Sequence, residues 1–141
     1  MDLVVVIDTN VLVAGLKSSR GASHGVLQCL GDGAFALALS VPLVLEYEAV
    51  LLRGSLELNL STTDFASVLD YLCSVGRAQA IFYLWRPLLR DPKDDMVLEV
   101  AVAAGGVPIV TFNKRDFRGA EKFAVPLWTP QELLAQLEVR P

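Results

Sequence analysis

The sequence has little of what cysteine-based or histidine-based sites require. It contains two cysteines, Cys29 and Cys73, and one histidine, His24. Two widely spaced cysteines match neither a disulfide framework nor a zinc knuckle, so we interpret both as reduced thiols. One histidine gives poor support to a His-rich zinc site or a His-based triad. The chemistry of this protein is therefore expected to come from other residue types.

Long apolar runs and an excess of positive charge are also missing. The aliphatic run Leu3–Ile7 is far too short to span a bilayer, and Asp2 stands where a signal peptide would carry a basic residue. We therefore expect a cytoplasmic protein with no membrane association. The net charge of −4, from 16 acidic and 12 basic residues, argues against a protein that coats nucleic acid. It does not exclude a nuclease, since carboxylates that hold cations contribute negative charge themselves.

Hydrophobic residues make up 53% of the 141 residues, which is enough for a sizeable core. The chain has no internal repeat, low-complexity tract or linker, so we expect a single domain over residues 1–141. Apolar runs predict strands at Leu3–Ile7, Phe35–Leu39, Ala80–Leu84, Val107–Thr111 and Phe123–Leu127. Helical spacing and capping residues predict helices over 11–16, 25–30, 42–52, 62–76 and 91–104, and a last one after Thr129. Strands alternating with helices imply an α/β sandwich with a mainly parallel central sheet.

Three helix starts are marked by specific residues. Ser40 is a candidate N-cap, followed by Pro42 in the first turn. Asp91-Pro92 opens another helix. Thr129 and Glu132, three residues apart, have the form of a capping box with a proline between them. These signals are local, so we expect the helices to begin there.

Acidic residues recur where strands end and helices begin. They are Asp8 after the first strand, Glu46 in the Pro42 helix, Asp91, Asp94 and Asp95 at a helix start, and Asp116 after the strand Val107–Thr111. Taken singly, each has an ordinary explanation as a helix cap, a partner of the helix dipole or a solvated side chain. For Asp8, capping and a functional role are equally good interpretations. Glu48 lies about 200° around the helix from Glu46, so these two cannot point the same way.

The combination of these acids favours a metal site. In open parallel sheets, ligands bind beyond the carboxyl ends of the strands, which is where these residues are expected to meet. Clustered carboxylates repel one another unless a cation neutralises them, and hard oxygen ligands select Mg²⁺ or Mn²⁺. Such ions activate water and clamp phosphate oxygens, so hydrolysis of phosphodiesters is the expected chemistry.

Four segments resemble the PIN domain in order and spacing. They are Val6–Leu12, the helix with Glu46-Tyr47, Asp91-Pro92-Lys93-Asp94, and Ile109–Phe117. The resemblance covers nearly the whole chain, and its most specific parts are the opening and the Thr-x-Asn-x-x-Asp-Phe segment. Within the family, the sequence is similar to the toxins of bacterial and archaeal toxin–antitoxin pairs.

The resemblance implies a three-layer α/β/α fold and a Mg²⁺- or Mn²⁺-dependent endoribonuclease, often homodimeric and inhibited by an antitoxin protein. Matched by position, the acidic quartet that would bind metal and catalyse RNA cleavage is Asp8, Glu46, Asp94 and Asp116. Asp94 is preferred to Asp95 because Val97 and Ala101 match the family's apolar pattern after that acid. Asn113 stands where members carry Asp or Asn, so either Asn113 or Asp116 would complete the site. Supporting hydrogen bonds are expected from Thr9, Asn10, Thr111 and Asn113.

Other functions remain open at this point. An aspartyl phosphatase or phosphotransferase also places Asp after the first strand, but it would usually have a second Asp where Asn10 stands. A non-catalytic PIN-like domain that binds RNA or a protein is the other alternative, against which the intact acids count. The basic residues Lys114, Arg115, Arg118 and Lys122 are as compatible with steering a phosphate backbone as with a solvated loop.

Overall fold

A computed structural model describes residues 3–54, 62–80, 89 and 91–139 of the chain. These residues form a five-stranded sheet in which every neighbouring pair is parallel. The strands are β1 (Val4–Ile7), β2 (Ala36–Leu39), β3 (Gly76–Ala78), β4 (Ile109–Val110) and β5 (Leu127–Trp128). Their order across the sheet is β3-β2-β1-β4-β5, so β1 is central and the order reverses beside it.

Helices connect the strands and complete a three-layer α/β/α sandwich. The α-helices of the described residues are α1 (Thr9–Lys17), α2 (Ala22–Gly31), α3 (Val41–Arg53), α4 (Thr62–Val75), α5 (Pro92–Ala103) and α6 (Pro130–Val139). Two 3₁₀ turns, Lys114–Phe117 and Ala120–Phe123, lie between β4 and β5. Helix α1 packs on α2 and α2 on α6, while α3 packs on α4 and α5. The predicted fold class is confirmed.

The predicted helix starts are confirmed by their hydrogen bonds. The Ser40 hydroxyl accepts the backbone N–H of Leu43 at 3.2 Å, as an N-cap does. At α6, the Thr129 hydroxyl accepts the N–H of Glu132 at 3.1 Å, and the Glu132 carboxylate accepts the N–H of Thr129 at 3.0 Å. This reciprocal pair is the capping box expected from the sequence.

The core lies on both faces of the central strand. Val5, Val6 and Ile7 are at most 1% exposed, as expected for a strand that helices cover on both sides. Strand β1 pairs with β2 through Val4 and Val5, and with β4 through Val6 and Ile7. The last residue of β1, Ile7, is therefore held by β4, and the backbone N–H of Asp8 donates to the carbonyl of Val110 at 2.9 Å where the chain leaves the sheet.

The structure differs from the prediction at two strands of the sheet. The structure has β3 at Gly76–Ala78, where a helix end was predicted, and Ala80 lies outside any strand. Residues 81–84 of the predicted strand fall outside the described residues. Phe123 belongs to a 3₁₀ turn instead of the predicted last strand, and Ala124 has a positive φ of 57°, so extended structure resumes only at Leu127. In both cases pairing within the sheet decides the strand, and the local sequence does not show it.

Among the described residues, no helix is long and apolar enough to cross a bilayer.

Candidate functional site

Asp8 leaves β1 at its carboxyl end and lies at the N-cap position of α1. Within the described residues its side chain makes no capping hydrogen bond. The carboxylate instead accepts a hydrogen bond from the hydroxyl of Thr111, with 2.7 Å between Oγ1 and Oδ2. Only 8% of Asp8 is exposed. Asp8 therefore occupies the N-cap position of α1 while its carboxylate is held by Thr111.

Tyr47 positions α3, the helix that carries Glu46, beside the end of β1. Its buried hydroxyl donates to the backbone carbonyl of Ile7, which ties α3 to the end of β1. The preceding residue, Glu46, is half-buried and lines the same cleft as Asp8, whereas Glu48 is exposed and lies outside it. Burial raises the pKa of the Tyr47 hydroxyl, and the nearby charge of Asp8 raises it further. The hydroxyl therefore stays protonated and acts as a hydrogen-bond donor.

The three acids at the start of α5 have separate positions. The Asp91 carboxylate accepts the backbone N–H of Lys93 at 3.0 Å and caps the helix. Asp95 is fully buried and accepts the backbone N–H of Leu89 at 2.9 Å. Asp94, between them, is partly buried and lines the cleft. Asp91 thus caps α5 and also lines the cleft beside Asp94. Asp95 is buried outside the cleft lining, and its Oδ2 has no hydrogen-bond partner among the described residues.

Asp116 and Asn113 occupy different positions after β4. Asp116 lies in the 3₁₀ turn that buried Phe117 anchors, and it lines the cleft. Asn113 is exposed, is not among the residues that line the cleft, and donates its backbone N–H to the Thr111 hydroxyl at 3.0 Å. The backbone N–H of Asn113 thus orients the Thr111 hydroxyl, which in turn donates to Asp8.

The quartet named from the sequence lines one cleft of about 530 Å³, together with Thr9 and Asn10. Burial, together with the charges of Asp8, Asp91, Asp116 and Asp95, raises the pKa of Asp94 to about 7. Burial also raises the pKa of Asp8, although hydrogen bonds from Thr111 and from the backbone of Thr9 act in the opposite direction. The acids of the cleft are therefore close enough for their charges to raise the pKa of Asp8 and of Asp94.

The donor set suits a hard divalent cation in its chemistry. The oxygen-bearing side chains of the lining are carboxylates, the Thr9 hydroxyl and the Asn10 amide, and Asn10 Oδ1 is buried with no hydrogen-bond partner among the described residues. Within the same described part of the chain, however, no three acidic, histidine or cysteine side chains stand close enough together to hold a metal ion. The acids share a cleft, and a closed coordination shell requires their side chains to converge further.

Three basic residues of the cleft were missed from the sequence. Lys17 and Arg53, in the last turns of α1 and α3, and Lys93 in the first turn of α5 all line it. Helical spacing could have indicated two of them. Lys17 lies seven residues after Asn10, and Arg53 lies seven after Glu46, which places each cation on the same helix face as a predicted site residue. By contrast, Lys114 of the predicted basic loop forms an ion pair with Glu132, with 2.6 Å between Nζ and Oε1.

Residues 4–115 match the family model of the PIN domain. The chain belongs to the PIN domain family. A comparison with curated proteins found no match to this chain. The PIN family match includes Asp8, Glu46 and Asp94 but ends one residue before Asp116. The position of Asp116 therefore rests on the cleft geometry, and PIN membership supports a nuclease-type fold.

Proposed function

We propose that this PIN domain is a Mg²⁺- or Mn²⁺-dependent endoribonuclease that hydrolyses phosphodiester bonds of RNA. The observation that carries the proposal is the convergence of Asp8, Glu46, Asp94 and Asp116, from four separate elements, on one cleft. Crowded carboxylates reduce stability unless a cation binds them, so their grouping is costly for a protein without metal chemistry.

In this proposal Asp8 and Asp94 bind the cation, and Glu46 and Asp116 complete its shell directly or through water. When bound, the cation supplies activation of water and offsets the charge that develops on the phosphate. Thr111 holds the Asp8 carboxylate in one orientation through the 2.7 Å hydrogen bond. With its pKa raised to about 7, Asp94 is partly protonated near neutral pH in the metal-free protein, and binding of a cation would release that proton.

The test is cleavage of labelled single-stranded RNA with Mn²⁺ or with EDTA. Glu46→Gln is compared with Glu48→Gln, a matched change two residues away on the exposed side of α3. We expect wild-type protein and Glu48→Gln to cleave only with the metal, and Glu46→Gln and Asp8→Asn to lose at least about a hundredfold in rate. Full activity of Asp8→Asn, folded as judged by circular dichroism, would remove the proposed site.

One observation favours a second candidate, a non-catalytic PIN domain that binds RNA or a protein. It is the absence, within the described residues, of three acids already grouped tightly enough to hold a metal ion. The same assay separates the two, because binding of RNA without cleavage at any Mn²⁺ concentration would identify the non-catalytic function. Hydrolysis of a small phosphoester instead of RNA would indicate the less favoured aspartyl phosphatase.

The proposed biological role is the toxin of a cytoplasmic toxin–antitoxin pair, acting as a homodimer. It rests on the similarity of the sequence to toxins of this family. Expression in a bacterium is the test: growth arrest that disappears with Asp8→Asn, and that co-expression of a neighbouring gene prevents, would support a toxin and identify its antitoxin. Light scattering on the purified protein gives the oligomeric state. Normal growth at high expression of active nuclease would contradict the toxin role.

A further inference from the structure

A second pocket adjoins the acidic cleft at Ala14 of α1, which lines both. It has a volume of about 270 Å³ and lies between the loop that follows α1, the first turn of α2 and the first turn of α6. None of the described residues that line it is acidic, and Arg20 contributes a positive charge. In the cleft, by contrast, acids outnumber bases. The second pocket therefore has the charge that suits an anion.

The first turn of α2 presents backbone donors at this pocket. Gly21, at the N-cap, has no side chain with which to cap the helix, and Gly25 donates its N–H to the Gly21 carbonyl at 3.2 Å. The N–H groups of Ala22, Ser23 and His24 come before that bond, so they have no acceptor within α2. Such N–H groups, at the positive end of the helix dipole, bind anions. The first turn of α6 also lines the pocket, but its capping box already occupies it.

The hydroxyl of Ser23 is the observation that points to a ligand. Ser23 lines the pocket and is only 6% exposed. Its Oγ is buried with no hydrogen-bond partner among the described residues. A buried hydroxyl without a partner reduces stability, so native structures seldom keep one without a reason. An anion oxygen at the start of α2 would accept this hydrogen bond, which distinguishes the pocket from a helix end that only water covers.

Arg20 and Phe112 add a cation and an aromatic ring to the pocket. The Ser18 hydroxyl donates to the Arg20 carbonyl at 3.0 Å and accepts the Arg20 N–H at 3.1 Å, which fixes the loop that carries the guanidinium. Phe112 is 49% exposed and directly follows Thr111, the residue that holds Asp8. A guanidinium binds phosphate oxygens through paired N–H groups, and an exposed aromatic ring stacks on a nucleic-acid base.

We propose that this pocket binds the phosphate group of a nucleotide. The phosphate accepts hydrogen bonds from the first-turn N–H groups of α2 and from the Ser23 hydroxyl, and Arg20 neutralises its charge. The attached nucleoside lies against the ring of Phe112. The site is separate from the acidic cleft and requires no metal, so it does not depend on the proposed cleavage reaction. The nucleotide is either free or part of a strand, and the two sources share this chemistry.

The experiment records backbone amide resonances by two-dimensional NMR in EDTA at constant ionic strength. Inorganic phosphate and uridine 5′-monophosphate are added in separate titrations. The variants are Ser23→Ala and Arg20→Ala, with Arg115→Ala as the matched control, because Arg115 is exposed and lies outside the pocket. We expect both ligands to shift the amide resonances of Ala22 and Ser23, and the nucleotide alone to shift that of Phe112.

We expect Ser23→Ala and Arg20→Ala each to weaken the affinity for both ligands about three- to tenfold. Arg115→Ala should change it less than about twofold. Without ligand, Ser23→Ala should resist urea at least as well as the wild type, because its hydroxyl has no partner to lose.

Three results overturn the inference. The first is a set of resonance shifts with no preference for the first turn of α2. The second is equal affinity in the two pocket variants and the control. The third is a Ser23→Ala protein that is less stable than the wild type but binds phosphate normally, because the hydroxyl would then serve the fold and not a ligand.

Oligoribonucleotides with and without a 5′-phosphate distinguish the sources of the phosphate, by fluorescence anisotropy in EDTA. A loss of affinity in Arg20→Ala for the phosphorylated strand alone identifies a terminal phosphate, and an equal loss for both strands identifies an internal one. No loss for either strand, together with weaker nucleotide binding, identifies a free nucleotide. Cleavage with Mn²⁺ is measured separately. A protein that never cleaves RNA but binds phosphate at α2 keeps the pocket and loses the proposed function, and the reverse result does the opposite.

Discussion

Replacing Asp94 by Asn is expected to stabilise the metal-free protein while abolishing its proposed activity. Burial and four neighbouring acids raise the pKa of Asp94 from 3.8 to about 7. Because the pKa is higher in the folded than in the unfolded chain, ionisation opposes folding. The folded protein therefore loses stability as the pH rises from about 4 to about 7, and the loss is complete above that range.

The size of this effect follows from the shift. A change of about three pKa units would correspond to roughly 4 kcal/mol if the site were sealed from solvent. Asp94 is only partly buried, so solvent screening reduces the expected effect to about 1–2 kcal/mol. Asn has a similar shape and no charge, so Asp94→Asn removes the penalty without creating a cavity.

The assay is urea unfolding in EDTA at several pH values between about 4 and 8. We expect Asp94→Asn to exceed the wild type by about 1–2 kcal/mol near pH 8 and to match it near pH 4, while Glu48→Gln shows no such trend. Mn²⁺ at one hundred times its Kd should add about 2.7 kcal/mol to the wild type, and much less to Asp94→Asn. A difference between Asp94→Asn and wild type that does not change with pH would refute the reasoning, because the acids would then not be crowded.

Three further substitutions test the supports of the site. Thr111→Val removes the hydrogen bond to Asp8. We expect the free energy of unfolding in urea to fall by about 1–2 kcal/mol and the affinity for Mn²⁺ to fall tenfold or more. Thr111→Ser keeps the hydroxyl and should retain both. Tyr47→Phe removes the hydrogen bond to the Ile7 carbonyl and should lower the free energy of unfolding by about 1 kcal/mol in the same assay. We also expect a lower cleavage rate. An unchanged rate would show that α3 is positioned by packing alone. Thr129→Ala breaks the capping box of α6 and should cost about 1 kcal/mol while cleavage stays normal, and an effect on cleavage would contradict its placement away from the site.

Local chemistry explains which parts of the fold were predictable. The caps at Ser40 and Thr129 need only residues within one helical turn, and the buried run Val5–Ile7 reads as a central strand without knowledge of its neighbours. Strand β3 has the sequence Gly-Arg-Ala, which has no β-branched or aromatic residue. It is a strand because it pairs with Leu37–Leu39, and that partner lies more than 35 residues earlier in the chain.

The candidate site was also predictable from the sequence only in part. Asp8 and Asp116 follow strands in the sequence, so their common edge was predictable from parallel topology. The separate contacts of Asp91, Asp94 and Asp95 were not, because they depend on which carboxylate meets the N–H of Lys93 and which meets that of Leu89. Lys17 and Arg53 were missed because each looks like a helix-terminal cation in the sequence. Only the fold brings α1 and α3 to the same cleft.

The strand order has a consequence for the timing of activity. Asp8 and Glu46 come from the part of the chain that supplies β1 and β2, whereas Asp94 and Asp116 come from the later part, and the pairing of β1 with β4 joins the two. Under the proposed function, a chain still being synthesised has no complete site until the ribosome has released residues well beyond β4. A nascent chain that has not yet exposed Asp116 therefore lacks one of the four acids and is expected to be inactive.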